Sequence, residues 1–92
     1  MYEFYNDGKS VFKLEVIDGK LFAHAKVAKW DKATLALSLQ VWKQFTEHAL
    51  DSGYTEVFSI IPKDRKILKF NLMFGGTILS ELDDCYVIIF IL

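Results

Sequence analysis

The chain has little of several features on which common classes of small protein depend. Its 92 residues include one cysteine and one proline, so an internal disulfide is excluded, and Cys85 in an apolar segment favours a reducing, intracellular setting. The longest apolar run, 85–92, is far shorter than the ~20 residues that a membrane-spanning helix needs. No basic region followed by an apolar core indicates a signal peptide. These absences predict a soluble, cytoplasmic protein.

The chain also lacks an excess of charge of either sign. Its 11 basic and 12 acidic residues give a net charge of −1, which offers no electrostatic footprint for nucleic acid or an anionic membrane. No group of His, Cys, Asp and Glu has the spacing of metal ligands. The sequence therefore predicts no nucleic-acid, membrane or metal partner.

Apolar and aromatic residues, by contrast, are abundant. Hydrophobic residues make up 52% of the chain and aromatic residues 15%, which excludes a disordered protein. The length predicts a single domain, 1–92. Because a domain this small buries only about 60–65% of the surface of its unfolded chain, the surplus indicates a rich core, or apolar surface covered by a partner such as a second copy.

The spacing of apolar residues predicts three antiparallel strands at the start of the chain. From Phe12 to Val16 apolar and charged residues alternate, which is the period of a half-buried strand. Asp18-Gly19 supplies a two-residue hairpin turn, because both residues tolerate positive φ. A return strand over 21–28 completes the hairpin, and a short strand over 2–5 leads in.

Two amphipathic helices are predicted next. The first has Ser38 or Thr34 as its candidate cap, and a start at Asp31 would add two more turns; we place the start between Thr34 and Ser38. It ends before Gly53. Its inward stripe is predicted to contain Leu39, Trp42, Phe45, Ala49 and Leu50. The second runs over about 63–74 and is capped by Asp64. Its predicted inward side chains are Ile67, Phe70, Met73 and Phe74.

Three further strands complete the predicted order. The segment 55–61 is apolar at nearly every position, which indicates a strand covered on both faces. Two more strands follow the second helix, over 77–82 and 85–92. The order β-β-β-α-β-α-β-β predicts an α+β fold, a mixed and mostly antiparallel sheet with helices packed on it.

The segment from Asp64 to Gly76, a short helix between apolar strands that ends in Gly75-Gly76, resembles the C-terminal half of a GNAT superfamily N-acetyltransferase. The order of elements matches the GNAT fold after its first strand and first two helices are removed. The family's second helix carries an asparagine, a small residue, an aromatic pair and a closing glycine. Counting back from Gly75, Asp64, Ile67 and Phe70 stand at the asparagine, the small residue and the first aromatic.

Departures from the family pattern, in the second helix and in the loop before the first, argue against its activity. Asn71 stands where many members have the tyrosine that protonates the departing thiolate, and an amide has no dissociable proton near neutrality. Gly76 replaces the aromatic after the closing glycine. The loop that would hold the pyrophosphate of acetyl-CoA, 29–38, contains no glycine and places Asp31 where an anion should bind. No catalytic, cofactor-binding or metal-binding residue is therefore predicted.

The sequence thus predicts a truncated, degenerate GNAT-like domain that binds another protein and needs no cofactor. It resembles the small phage-encoded type, an accessory or host-takeover protein in the host cytoplasm or the virion. One alternative is a minimal acetyl-CoA-dependent N-acetyltransferase, with Lys29 and Lys32 contacting phosphates. Another is a structural virion or assembly subunit.

The candidate interaction surface combines a strand end with the last strand. Trp30 lies beside the degenerate loop, and tryptophan is enriched at binding hot spots. The last strand is apolar on both faces, so it must be central, covered or paired with another chain. The resemblance implies dimer contacts there. The predicted surface is Trp30, Tyr86, Ile88 and Phe90, with a protein partner or a homodimer. His24 stands where the family can place a base, but a surface role is simpler.

Overall fold

A computed structural model describes residues 2–8, 10–27 and 32–92 of the chain and has the predicted order of elements. The strands and helices are β1 Tyr2–Asn6, β2 Ser10–Ile17, β3 Lys20–Val27, α1 Lys32–Asp51, β4 Glu56–Pro62, α2 Arg65–Met73, β5 Thr77–Glu81 and β6 Cys85–Ile91. The strands form one six-stranded sheet in the order β1-β2-β3-β4-β6-β5. Among the described strands only β3 and β4 are parallel neighbours, so the α+β class and the mostly antiparallel sheet are confirmed.

The hairpin of β2 and β3 forms as its turn residues predict. Asp18 has a φ of 52° and Gly19 a φ of 76°. A two-residue type I′ turn requires positive φ at both of these positions. The register places Phe12 opposite Ala25 and Leu14 opposite Ala23. This pairing confirms that the alternating residues of both strands share one face.

Helix α1 starts earlier than predicted. It begins at Lys32 rather than between Thr34 and Ser38, because the preceding alanines and leucines are strong helix formers that continue the helix. Ser38, predicted as a possible cap, lies inside the helix and is buried. The end is as predicted: the amide of Gly53 donates to the carbonyl of Leu50 at 3.0 Å, as at a glycine that closes a helix.

The inward faces of both helices differ from the predicted stripes by a few residues. The buried residues of α1 are Ser38, Val41, Trp42, Phe45 and Ala49. Leu39 and Leu50, predicted to be inward, are exposed. On α2, Met73 is exposed and Leu68 packs against the core instead.

Asp64 caps α2 as predicted. Its Oδ1 accepts hydrogen bonds from the amides of Lys66 at 2.9 Å and Ile67 at 3.1 Å. A carboxylate that satisfies these unpaired amides stabilises a helix by about 1 kcal/mol. The cap fixes where α2 leaves the end of β4.

Both helices pack on the same face of the sheet. The connection through α1 leads from β3 to β4 and that through α2 from β4 to β5, in one direction across the sheet. Because such connections are almost always right-handed, both helices must lie on one side. The core cluster there is Leu21, Ala23, Trp42, Phe45, Ala49, Val57, Ile61, Ile88 and Phe90. Among the described residues, no helix covers the opposite face.

Trp42 joins the helices to the sheet. Its ring centroid lies 4.6 Å from that of Phe90 on β6, 5.2 Å from that of Phe45 on α1 and 6.3 Å from that of Phe74 at the end of α2. Aromatic pairs at such distances stabilise a fold by about 0.5–1.5 kcal/mol each beyond the area they bury. The indole is therefore the point at which three elements meet.

Two adjacent glycines after α2 should respond differently to substitution. A Cβ at Gly76 would lie 2.5 Å from Ile88 Cγ2, 2.8 Å from the Asn71 carbonyl oxygen and 2.9 Å from Phe90 Cε1. We expect Gly76→Ala to lower the free energy of unfolding by about 1–3 kcal/mol through overpacking. Denaturant unfolding of the purified variant measures this.

Gly75 is the matched control. A Cβ there meets nothing within 4 Å, but the residue has a φ of +95°, which costs most L residues about 1–2 kcal/mol. Since asparagine tolerates this conformation, Gly75→Asn should be milder than Gly75→Ala, whereas Gly76→Asn should be no milder than Gly76→Ala. A Gly76→Ala variant as stable as the wild type would contradict the packing argument.

Candidate functional site

The sheet face opposite the helices, here called the open face, carries a contiguous group of apolar side chains. This apolar patch consists of Phe22 on β3, Phe58 and Ile60 on β4, and Val87, Ile89 and Ile91 on β6. The register brings them together, because Phe58 pairs with both Phe22 and Ile89, and Ile60 pairs with Val87. The patch therefore crosses three neighbouring strands.

Exposure differs between the centre and the ends of the apolar patch. Phe58 is only 7% exposed, because the Phe22 ring lies 5.5 Å away and Lys20 Nζ lies 5.6 Å from the Phe58 centroid. Ile60 is 50% exposed and Ile91 73%. The prediction that the fourth strand is covered on both faces is thus wrong at Ile60.

Polar residues border the apolar patch on both sides. On the β2 and β3 side the open face carries Lys13, Glu15, His24 and Lys26. On the other side it carries Thr77 and Ser80 of β5, followed by the exposed turn at 83–84. An apolar patch with a polar rim is the usual anatomy of a protein contact surface.

The fold corrects the predicted choice of interaction residues. Ile88 and Phe90 are 0% and 4% exposed, because their row of β6 faces the two helices. Tyr86 lies in the same row and is half-buried, with Lys63 Nζ 4.7 Å from its ring centroid. The residues of β6 that can meet a partner are instead the alternate row in the apolar patch. Trp30 lies outside the described residues.

The last strand is also not a sheet edge. It pairs with β4 on one side and β5 on the other, so of the three predicted alternatives the strand is central. The edge next to it is β5, all of whose residues are exposed. Its register with β6 shifts between Ile78 and Ser80, and such irregularities discourage pairing with another chain.

A cavity of about 240 Å³ lies where β3 and β4 separate beyond the pair of Phe22 and Phe58, and its lining includes residues from both faces of the sheet, Lys26 and Ile60 of the open face among them. Residues from six elements line it, among them Phe12, Trp42, Ile61, Phe70, Asn71 and Phe74. Most of this lining is aromatic or aliphatic. The cavity can therefore take a small, mostly apolar group.

The side chain of Asn71 bonds within its own helix. Its Nδ2 donates to the carbonyl oxygen of Ile67 at 2.8 Å, one helical turn back. The side chain lines the cavity, but an amide in this arrangement offers no proton to a leaving group. Its observed role is structural.

His24 forms a loose pair with Glu15. The distance from His24 Nε2 to Glu15 Oε1 is 3.6 Å, and both side chains are about one-third exposed. The two attract when the imidazole is protonated, with the small stabilisation typical of partly exposed pairs. Within the described ranges no cluster of three or more His, Cys, Asp or Glu could hold a metal ion, so the pair is not part of a larger ionisable group of that kind.

Comparisons with known proteins found no relative of this chain. No family model matches the chain, and no curated protein and no solved structure is significantly similar to it. In the part of the chain that the structure describes, neither helix combines the length and apolar character needed to cross a bilayer. The inferences below therefore depend on the chain's own residues.

Cys85 lies at the end of β6, level with Pro62 of β4. Burial raises the pKa of its thiol, and the charge of Asp84 with a hydrogen bond to that carboxylate raises it further, while Lys63 opposes the shift. Since the thiolate is the reactive form, the thiol should be nearly inert at neutral pH.

The alkylation of Cys85 should therefore have a shifted pH profile. We expect the rate with iodoacetamide to rise with a midpoint above the ordinary pKa of 9.0. Asp84→Asn removes a negative charge and so should lower that midpoint, because the thiolate is then less disfavoured. Asp83→Asn is the matched control, and equal midpoints for the two variants would contradict the role of Asp84.

Proposed function

We propose that the chain is a non-catalytic protein-binding module with a GNAT-like fold, and that it binds through the apolar patch. The observation that carries this proposal is the exposure of Ile60 and Ile91 within a contiguous apolar surface bounded by polar residues. Soluble domains seldom leave such a surface uncovered unless another molecule meets it. We further propose that the module is of the small phage-encoded type, an accessory virion protein or one that acts on host proteins.

The state of the family's catalytic positions supports a non-catalytic role. Asn71 cannot act as a general acid, and its amide is hydrogen-bonded within α2. Gly76 stands against the core so closely that a Cβ would overlap Ile88 and Phe90, which leaves no room for the aromatic of the family pattern. Residues 32–38 form helix without a glycine, unlike a loop that wraps phosphates.

A charge placed in the apolar patch should abolish binding. Ile60→Lys is suited to this test, because its side chain is half exposed and the folded state can keep the ammonium in water. Leu72→Lys on α2 is the matched control, since Leu72 is 44% exposed but lies on the helix side of the sheet.

The measurement is quantitative capture from an extract of the source cells with each immobilised protein. We expect the wild type and Leu72→Lys to retain the same partners and Ile60→Lys to retain at least about tenfold less, the loss typical of a hot spot. Thermal unfolding must show both variants folded. Equal capture by all three proteins would refute the apolar patch as the surface that binds a foreign protein.

The cavity supports a second candidate function, a minimal acetyl-CoA-dependent N-acetyltransferase. Its volume of about 240 Å³ and mostly apolar lining suit a short acyl chain better than a charged group. The candidate requires Lys29 and Lys32 to hold the phosphates, and Lys32 is the first residue of α1. Without a tyrosine at position 71, the departing thiolate would need another proton source.

Calorimetric titration with acetyl-CoA and with CoA distinguishes the two functions. For the binding module we expect no heat at up to about millimolar ligand, since −4.1 kcal/mol is the weakest affinity that such a titration reaches. Micromolar binding that Phe70→Trp weakens, by filling the cavity, would instead favour the enzyme. Circular dichroism of the titrated sample verifies that the protein is folded.

A further inference from the structure

We propose that the occupant of the apolar patch is a second copy of this chain, stacked open face to open face about a two-fold axis. This inference rests on the contact surface of the proposed function and names the partner that fits it. Two sheets that pack in this way lie about 10 Å apart, with their inner side chains interdigitated. The same patch on both copies makes the contact self-complementary, as a two-fold interface requires.

The charges bordering the apolar patch favour a second copy. Lys26 lies on the β3 side, four residues beyond Phe22 and thus near the level of Pro62 and Cys85. The exposed turn with Asp83 and Asp84 lies at the same level on the β5 side. At this level the patch therefore has a basic border formed by Lys26 and an acidic border formed by Asp83 and Asp84, with β4 and β6 between them.

A two-fold axis parallel to the strands, between β4 and β6, matches these borders. Rotation about this axis leaves each residue at the same position along the strand direction and reverses the order of the strands across the sheet. Strand β3 of each copy therefore lies over β5 of the other. The basic border of one copy then meets the acidic border of the second copy, and the contact occurs twice. Strands β1 and β2 extend beyond the overlap, so Lys13 and Glu15 of β2 stay in water. The dimer therefore avoids the free-energy cost of burying these charges.

The size of the overlap predicts a weak dimer. Four strands about 4.8 Å apart and roughly 20 Å long give an overlap of roughly 400 Å² per copy. Stable interfaces bury about 800 Å² per partner, and smaller ones belong to transient complexes. We therefore expect the dissociation constant of the dimer to be micromolar or weaker. A partner helix about 10 Å across would cover only half the width of the four strands. It would not contact both charged borders.

Sedimentation velocity of the purified chain from about 5 µM to 1 mM tests the stoichiometry. The monomer mass is 10.6 kDa, and we expect the weight-average mass to rise toward twice that value. Ile60→Lys should raise the dissociation constant at least about tenfold, whereas Leu72→Lys should leave it unchanged. A wild-type protein that stays monomeric at 1 mM overturns the second copy as occupant.

A charge exchange tests the arrangement of the two copies. Lys26→Asp and Asp83→Lys should each weaken the dimer by about three- to tenfold, because each places like charges together. The double variant should recover most of the wild-type affinity. Lys26 and Asp83 are separated by the width of the patch within one chain, so recovery requires contact between copies. A dimer that Ile60→Lys leaves intact, or a double variant that fails to recover, overturns the stacking.

The outcome is separable from that of the proposed function. A monomeric wild type whose capture of partners depends on Ile60 keeps the binding module and refutes the second copy. A dimer that meets both tests, with capture unaffected by Ile60→Lys, refutes the foreign partner and supports the inference.

Discussion

The handedness of two strand connections determines the layout of this fold. Both α1 and α2 lead from one parallel strand to the next in the same direction across the sheet, and right-handed connections then place both helices on one side. The core follows from that arrangement, with Trp42 packed between Phe45, Phe74 and Phe90. The open face is the other consequence, since the described helices are both used on the opposite side.

This constraint explains how one strand can be apolar on both faces. Alternate residues of β6 point to opposite sides of the sheet, so Ile88 and Phe90 fill the core while Ile89 and Ile91 belong to the apolar patch. The abundant apolar residues of the chain therefore form two groups. One row stabilises the monomer, and the other is available to a partner without any cost to the core.

Local rules were enough to predict the elements, and non-local ones were needed for the site. The turn at Asp18-Gly19 and the cap at Asp64 depend on residues within one turn of each other, and both form as expected. The choice between the two rows of β6 depends on where α1 and α2 pack, which no single segment reveals. The predicted order of elements contained a usable signal, because the handedness of the two connections would have identified the row facing the helices.

The residues at positions 71 and 76 both serve the local structure at the end of α2. Gly76 donates its amide to the Asn71 carbonyl oxygen at 2.9 Å, and a Cβ at position 76 would approach that same oxygen and the ring of Phe90. The backbone after α2 can therefore turn tightly onto β6 only if residue 76 lacks a side chain. Asn71 in turn bonds to Ile67 one turn earlier. In our proposal, the positions that would serve chemistry in an acetyltransferase serve the closure of a small core, which is consistent with a domain whose remaining function lies on its other face.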